Sequence, residues 1–108
     1  MKFGAHPDAE EDVFRAAEYL ENAQSGCGEK FFDSLAKLWE SIRDNPLSFP
    51  RWHFHPRKRH LRFGLLRKFR YVVLFEVREG ETFIYSVTHT SRHPSFATRR
   101  VRQEKPKE

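Results

Sequence analysis

Three stretches in the second half of the chain alternate apolar and polar side chains with a period of two, as β-strands with one buried face do. In the first stretch, Leu61, Phe63 and Leu65 alternate with Arg62 and Gly64. The apolar positions of the other two stretches are Tyr71, Val73, Phe75 and Val77, then Phe83, Tyr85 and Val87. The pattern predicts three consecutive strands whose apolar side chains share one phase.

Two short polar connections separate these strands. Residues 67–68, Arg-Lys, form a natural turn between the first strand and the second. Residues 79–81, Glu-Gly-Glu, contain a glycine that can take the positive φ of a tight hairpin. Glu76 lies in the middle of the second strand, and we interpret it as a solvent-facing position. Such short connections predict an antiparallel meander with one apolar face that another element must cover.

Two segments of the first half repeat apolar residues at helical spacing. The first begins at His6-Pro7-Asp8, because proline suits the first helical turn and acidic residues suit the positive end of the helix dipole. Its apolar positions are Ala9, Val13, Ala16, Ala17 and Leu20. Residues 22–28 interrupt the pattern, which resumes from Glu29 with Phe31, Leu35, Leu38, Trp39 and Ile42. The second segment ends before Pro46, so we predict a helical hairpin whose larger face covers the sheet.

Together these elements predict a single α+β domain with the order β-α-α-β-β-β. In it, the helical hairpin packs on a three- to four-stranded antiparallel sheet, to which residues 1–5 contribute an edge strand. A chain of 108 residues has room for one core. We expect the domain to span residues 1–98 and residues 99–108 to form a basic, flexible tail.

Charge divides the chain into two parts. Residues 1–46 contain five Lys or Arg and ten Asp or Glu, a net charge of −5. Residues 47–108 contain fifteen Lys or Arg and five Asp or Glu, a net charge of +10. A basic half on a small domain favours a polyanion or an acidic protein as partner. The alternative is that these charges only solvate the surface.

The sequence lacks the patterns of membrane-spanning proteins, of secreted proteins and of several enzyme and metal-site classes. No run of eighteen apolar residues is present, so we expect no contact with the membrane interior. Residues 1–12 turn acidic and lack the apolar core of a secretory signal. The single Cys27 cannot form an internal disulfide, which fits a reducing compartment, and we expect the protein to be cytoplasmic. No phosphate-binding loop, serine elbow or zinc helix motif occurs, and no cofactor is expected.

The segment of residues 47–58 mixes proline, aromatic and basic residues. His53 and His55 have the spacing of two metal ligands, but no cysteine or acidic side chain lies near, so we predict no metal site. Trp52 and Phe54, interleaved with basic residues, suit stacking and phosphate contacts on single-stranded nucleic acid. The alternative is that both rings anchor the loop to the core.

The series of residues 59–94 resembles the RelE/ParE family of toxins from type II toxin–antitoxin systems. The series consists of Arg62 on a strand, Phe69 and Tyr71, the run VVLFEV, a hairpin, SVTH and Ser-Arg-x-Pro. The helical first half also fits, so the resemblance covers nearly the whole chain. One departure is Arg70, which stands where the family often has proline before the aromatic residue. The resemblance implies the same α+β fold, with an opening strand that pairs into the sheet.

The RelE-like branch of this family implies an enzyme, a metal-independent endonuclease that cuts mRNA on the ribosome. Such a reaction needs cations for the phosphorane and a group that transfers a proton. By position, Arg62 and Arg92 would bind phosphate, and His93 or His89 would act as acid or base. Phe96 stands where many of those nucleases have a tyrosine. For His89 the alternative is a structural hydrogen bond to the backbone.

The ParE-like branch, of the plasmid-stabilisation type, implies a toxin that poisons DNA gyrase. The long helical hairpin and the Ser-Arg-His-Pro ending are more similar to this branch, which we favour; a third possibility is a non-toxic member that only binds antitoxin. Every branch implies a cognate acidic antitoxin and a hetero-oligomer with it. The residues expected to contact nucleic acid or target are Arg57, Lys58, Arg59, Arg67 and Arg92. Those expected to contact the partner protein are Phe31, Leu35 and Trp39.

Overall fold

The computed structural model describes residues 2–53 and 59–103. The predicted order of elements is confirmed, and a third helix follows it. The elements are β1 (Lys2–Ala5), α1 (Pro7–Ala23), α2 (Cys27–Asp44), a single 3-10 turn (Pro46–Ser48), β2 (Leu61–Leu66), β3 (Tyr71–Arg78), β4 (Glu81–His89) and α3 (Pro94–Gln103). None of the described helices is both long enough and apolar enough to cross a membrane.

The four strands form one mixed sheet in the order β1-β4-β3-β2. The meander β2-β3-β4 is antiparallel as predicted, but β1 pairs with β4 in parallel, from Lys2 opposite Glu81 to Ala5 opposite Ile84. The expectation of a purely antiparallel sheet is therefore corrected. The helical hairpin returns the chain to the end at which β1 starts, and the first and third strands of a meander point the same way. β1 and β4 consequently run in the same direction.

The helical hairpin covers one face of the sheet, as its apolar stripe predicts. Phe31 of α2 is fully buried, and its ring lies edge-on to Phe69 and Tyr71, with centroids 5.6 and 5.3 Å apart. The hairpin is tightly joined, because a Cβ atom on Gly28 would lie 2.9 Å from the carbonyl oxygen of Ala17. Val73, Phe75, Ile84 and Val87 complete this core from the sheet side.

A β-bulge reverses the predicted phase of β4. Leu74 lies opposite Ser86 and Phe75 opposite Ile84, so β4 has one extra residue, Tyr85, at this point. As a result, Phe83 and Tyr85 lie in a second apolar cluster, on the face away from the hairpin. The prediction that they share a face with Val87 is wrong, since Val87 belongs to the hairpin core.

The first strand of the meander also differs from its predicted pattern. Leu66 rather than Leu65 reaches the hairpin core, and Leu65 is 42% exposed. Leu61 is buried in the second cluster. The sheet is covered on both faces, so apolar side chains are needed on both sides of β2 and the simple alternation does not hold.

The second face is covered by α3, which sequence analysis assigned in part to a flexible tail. The predicted boundary at residue 98 falls inside this helix. Ala97 and Val101 are 2% and 0% exposed and pack with Leu61, Leu74 and Tyr85. The described part of the tail, residues 99–103, is thus helical, because the spacing of these two residues places both on the sheet.

The two connections of the meander use positive φ angles. Gly80 has φ of 72°, as predicted for the hairpin before β4. In the other turn Arg70 has φ of 61°, and its N–H donates to the carbonyl oxygen of Leu66 over 2.8 Å. Proline can neither adopt this φ nor donate this hydrogen bond. This explains physically why the turn has arginine where the resembled family often has proline.

Candidate functional site

One end of the sheet collects unpaired positive charges. There β2 ends, β3 begins and β4 ends, with Tyr71 opposite both Leu66 and His89. The N–H of Thr90 donates to the carbonyl oxygen of Arg70 over 2.8 Å, which joins the turn after β2 to the segment after β4. We call this the cationic end, defined by the exposed side chains of Arg67, Lys68, Arg70 and Arg92. Among the described residues, none of these four side chains forms an ion pair.

Arg92 is held in a defined position at this end. Its backbone N–H closes a turn on the carbonyl oxygen of His89 over 3.0 Å. Its guanidinium group lies over the ring of Phe96, 4.5 Å from the centroid, and that ring is 40% exposed. Stacking fixes the plane of the guanidinium group while its N–H donors stay at the edge, the arrangement that suits bidentate binding of an oxyanion.

A groove of about 430 Å³ opens beside Arg92, between α1 and the start of α3. Tyr19, Tyr71, His89, Ser91 and Phe96 contribute to its lining. Burial raises the pKa of Tyr71, and Tyr19 adds to this effect while Arg92 opposes it. Tyr71 therefore remains a neutral hydroxyl at physiological pH. The groove combines aromatic surface and hydroxyl groups with the cations Arg15 and Arg92, and its one lining carboxylate, Asp12, is paired with Arg100.

Both histidines of this region are engaged with the backbone. The N–H of Ser91 donates to Nδ1 of His89 over 3.0 Å, and the N–H of Ser95 donates to Nδ1 of His93 over 3.1 Å. The ring of His89 also packs edge-on against Tyr71, with centroids 5.2 Å apart. The structural alternative for His89 is thus confirmed. His93 has a similar position at the first turn of α3.

Arg62 lies elsewhere and supports a loop. Its Nε donates to Nε2 of His60 over 2.8 Å, and its Nη1 donates to the carbonyl oxygens of Leu47 and Phe49. Burial lowers the pKa of His60, and the neighbouring charges of Arg51 and Arg62 lower it further. Arg62 lies four residues before the end of β2, or about 13 Å from the cationic end along the strand. The structure therefore does not bring Arg62 together with Arg92 and His93.

The opposite end of the sheet buries an ionic network that sequence analysis missed. Glu76 is 6% exposed, which overturns its interpretation as a solvent-facing position. Its Oε1 accepts hydrogen bonds from Arg59 Nη2, Arg78 Nε and the Tyr85 hydroxyl, at 2.9, 3.0 and 2.9 Å. Arg59, expected from the sequence to contact the target, is instead occupied inside the domain. We call these four residues the buried network.

The pKa values of the buried network follow from its geometry. Burial acts to raise the pKa of Glu76, but hydrogen bonds from Arg59, Arg78 and Tyr85 outweigh it, so this pKa lies below its usual value. Burial and the adjacent Glu76 carboxylate raise the pKa of Tyr85 to about 12. The network therefore holds a carboxylate and a neutral phenol across the physiological range.

A second ion pair ties α1 and α3 to β4. Asp12, on α1, accepts hydrogen bonds from the Val87 N–H and from Arg100, at 3.0 and 2.6 Å. Arg100 also donates to the carbonyl oxygen of Tyr85 over 2.9 Å. These contacts provide hydrogen-bond partners for backbone groups of β4 beyond Ile84, the last residue of β4 that pairs with β1. Nothing in the sequence links residues 12 and 100, so pattern alone could not find this pair.

The other predicted contact residues have different places. Phe31 and Leu35 are buried in the hairpin core, and Trp39 is partly buried against it, so these side chains hold the hairpin on the sheet. The larger exposed apolar side chains of the hairpin are Phe14 and Tyr19, at 66% and 68%, with Phe32 at 40%.

The loop before β2 is described only in part. Trp52 packs on the second cluster and its indole N–H donates to the Thr98 hydroxyl over 3.4 Å, so this ring anchors the loop. Phe54, His55, Arg57 and Lys58 lie outside the described residues. Within residues 2–53 and 59–103, no group of three His, Cys, Asp or Glu is placed to hold a metal ion.

Comparison with known proteins agrees with this architecture. Residues 5–94 match the family described as ParE toxin of type II toxin-antitoxin system, parDE. A search of curated protein sequences gave no significant match. The matched segment runs from the end of β1 to the start of α3 and so includes the helical hairpin, the meander and the cationic end. The resemblance drawn from the sequence is confirmed: the chain belongs to the ParE toxin family of type II toxin–antitoxin systems.

Proposed function

We propose that this ParE-family chain is a toxin that acts by binding DNA gyrase and that an acidic antitoxin neutralises it. The observation that supports a binding toxin most is the separation of Arg62 from Arg92 and His93. A nuclease would need these groups around one phosphate. Here Arg62 hydrogen-bonds to loop carbonyls and His93 holds a backbone amide. A toxin that binds a protein target needs an exposed surface rather than a set of proton-transfer groups.

Expression of the chain in cells without antitoxin tests this proposal. We expect growth arrest with induction of the DNA damage response and with intact transcripts, because gyrase poisoning leaves broken DNA. Arg62→Ala and Arg92→Ala are compared with the wild type, and Arg43→Gln, at the exposed C-terminal end of α2, is the control. New cleavage sites in mRNA that disappear with Arg62→Ala would instead identify a ribosome-dependent endonuclease. A folded protein that causes no arrest would leave only antitoxin binding.

The antitoxin is expected to cover the cationic end. Four unpaired cations attract an acidic segment, and a segment laid there would block Arg92 and the groove beside it. Attraction of this kind weakens as salt is added, because exposed charges are screened over about 10 Å at 0.1 M ionic strength. Purified antitoxin should therefore bind with an affinity that falls with salt. An affinity that does not change with salt would contradict an electrostatic interface at this end.

A further inference from the structure

We propose that the cationic end binds a single strand of DNA, with phosphates on its arginine and lysine side chains and one unpaired base in the adjacent groove. The inference rests on the proposed action on DNA gyrase, since a gyrase toxin works beside DNA, and it names the molecule that this surface contacts. Its central residue is Arg92, which lines the groove and follows β4 at the same end of the sheet as the other cations.

The charge balance of this end favours a polyanion as its ligand. Arg67, Lys68, Arg70 and Arg92 are all exposed, and no carboxylate pairs with any of them in the described parts of the chain. The two arginines of the helical hairpin differ, because Arg15 and Arg43 each have an acidic neighbour within one turn of the same helix. Four cations without counterions create a local positive potential, and nucleic acid is the polyanion that such a surface most strongly attracts.

The spacing of these cations suits a nucleic-acid backbone. Arg67 directly follows β2 and Arg92 follows β4, and β3 lies between these two strands. Two strand spacings place the ends of β2 and β4 about 10 Å apart across the sheet. A few nucleotides cover this distance, so a single strand can place phosphates near both ends of this surface. Lys68 and Arg70 are exposed in the turn between β2 and β3, at the same end of the sheet.

The backbone of Arg70 supports a role for its side chain. A residue other than glycine at φ of 61° is strained by about 1 kcal/mol or more, and glycine would relieve that strain. Backbone strain of this kind clusters at active sites and ligand clamps. Arg70 makes no described ion pair within the domain. Its guanidinium group is therefore available to an external anion.

The groove provides the second half of the site. Its volume of about 430 Å³ is in the range of pockets for small ligands and holds one nucleotide rather than a duplex. Tyr19 is 68% exposed on one side, and Phe96 carries the stacked guanidinium of Arg92 on the other. Aromatic rings beside arginine stack on unpaired bases of any sequence. The groove accordingly favours single-stranded DNA over duplex.

The test measures binding by fluorescence anisotropy of a labelled oligodeoxythymidine, its duplex with oligodeoxyadenosine, the matching RNA and a glutamate-rich peptide. The full-length protein is titrated at several salt concentrations between about 50 and 200 mM. We expect the single strand of DNA to bind most tightly, with a slope of log K against log salt that Arg92→Gln reduces by about 0.7. Tyr19→Ala should weaken single-strand binding roughly ten-fold and leave duplex binding unchanged.

Controls separate this site from general attraction to a basic protein. Arg43→Gln removes one positive charge at the end of α2 and should leave both affinity and salt slope unchanged. If Arg43→Gln and Arg92→Gln weaken DNA binding equally, the proposal is wrong. Tighter binding of RNA than of the DNA strand would also overturn it and would assign the surface to RNA. The glutamate-rich peptide, which imitates the acidic antitoxin segment, should displace the DNA strand.

The outcome is distinguishable from that of the proposed function. DNA binding that depends on Arg92, in a protein that causes no growth arrest, would support the site and reject the toxin activity. Arrest with DNA damage signalling that persists fully in Arg92→Gln and Tyr19→Ala, with no DNA binding by the wild type, would support the toxin and reject the site.

Discussion

Arginines at the two ends of the sheet have similar surroundings in the sequence and opposite roles in the structure. At one end, Arg59 and Arg78 are turned inward and share the carboxylate of Glu76 with the hydroxyl of Tyr85. At the other, Arg67 and Arg92 are exposed and have no described carboxylate partner. The first pair is occupied by partners inside the domain, whereas the second pair is available for binding.

This difference shows that positive charge alone does not mark a binding surface. A guanidinium group that already has buried acceptors loses them if it turns to an external anion, and breaking such a pair costs about 3–5 kcal/mol. An exposed guanidinium that stacks on a ring, like that of Arg92, loses only its bound water when it binds an external anion. Removal of charge should therefore change stability at the buried network and binding at the cationic end.

Glu76→Ala should have the largest effect on stability. The substitution leaves Arg59 and Arg78 beside Tyr85 without their shared buried carboxylate, and the free energy of unfolding should fall by about 3–5 kcal/mol. Urea denaturation followed by tryptophan fluorescence measures this change. Glu81→Gln is the matched control, because Glu81 contacts Arg78 at 3.4 Å from the rim of the same network.

Glu81→Gln should lower the free energy of unfolding by less than about 1 kcal/mol, since a partly exposed ion pair contributes little to stability. Equal losses in the two variants would show that the network is no more than surface charge.

The dependence of stability on acidic pH provides a further check on Glu76. The pKa of Glu76 is lowered in the fold, so its stabilisation is present above the unfolded-state pKa and is lost as pH falls below about 4. Glu76→Ala should lack this component of the acid dependence.

Arg70→Pro should destabilise the cationic end through the backbone and not through charge. Proline cannot adopt φ of 61° and removes the N–H that donates to Leu66, so the loss should be about 3 kcal/mol or more. Arg70→Gly removes the same charge but suits the positive φ, and it should stabilise the domain by about 0.5–1 kcal/mol. Thermal unfolding of the two variants beside the wild type measures both changes. A proline variant as stable as the wild type would mean that the turn can take the usual family form.

The fold could be predicted from the sequence because its periodic patterns are long. The two helices and four strands have the predicted order; α1 ends at Ala23, shortly before Gly26, and α2 ends at Asp44, shortly before Pro46. The bulge at Tyr85 could not be predicted, because the alternation of Phe83, Tyr85 and Val87 continues through it unchanged. The extra residue is placed by contacts of Tyr85 with side chains distant in sequence.

The site was harder to predict, because pairing and burial decide the role of each charge. Arg59 and Arg92 have the same residue type and both lie in basic segments, yet only the fold shows that the first is paired. One signal was present for Glu76: it interrupts the nearly continuous apolar run of β3, and a strand that is apolar on both sides is covered on both faces. A carboxylate in such a strand requires buried partners.

Tyr85→Phe should have an intermediate effect on stability. The hydroxyl accepts hydrogen bonds from Arg59 and Arg78 over 2.7 Å each and donates to Glu76. Its removal takes one hydrogen bond from each of these three charged groups, at a cost of about 1–3 kcal/mol in the free energy of unfolding. Urea denaturation at neutral pH measures this loss. A variant as stable as the wild type would show that Glu76 and the two arginines satisfy one another without the phenol.

Alkaline pH sharpens the same test. The pKa of Tyr85 is raised to about 12 in the fold, so its contribution is fully present below the unfolded-state value of about 10 and is lost as pH rises towards 12. The stability of the wild type should therefore approach that of Tyr85→Phe across this range. If the difference in stability between the wild type and Tyr85→Phe stayed constant over this range, the raised pKa would belong to another group. Tyr71→Phe is the comparison, because burial also raises the pKa of Tyr71.

Arg92→Gln should have the smallest effect on stability, and for that reason it separates the two ends most cleanly. The side chain is exposed and its described contact is the ring of Phe96, so the free energy of unfolding should change by no more than about 0.5 kcal/mol. Arg59→Gln is the matched substitution at the buried network, where the loss of two hydrogen bonds to Glu76 should cost about 1–3 kcal/mol. Urea denaturation gives both values, and anisotropy with the DNA strand gives the affinities. Arg59→Gln should bind like the wild type as long as it is folded, whereas Arg92→Gln should be stable and bind weakly. The opposite pairing of results, with stability lost at residue 92 and binding lost at residue 59, would reverse the roles of the two ends.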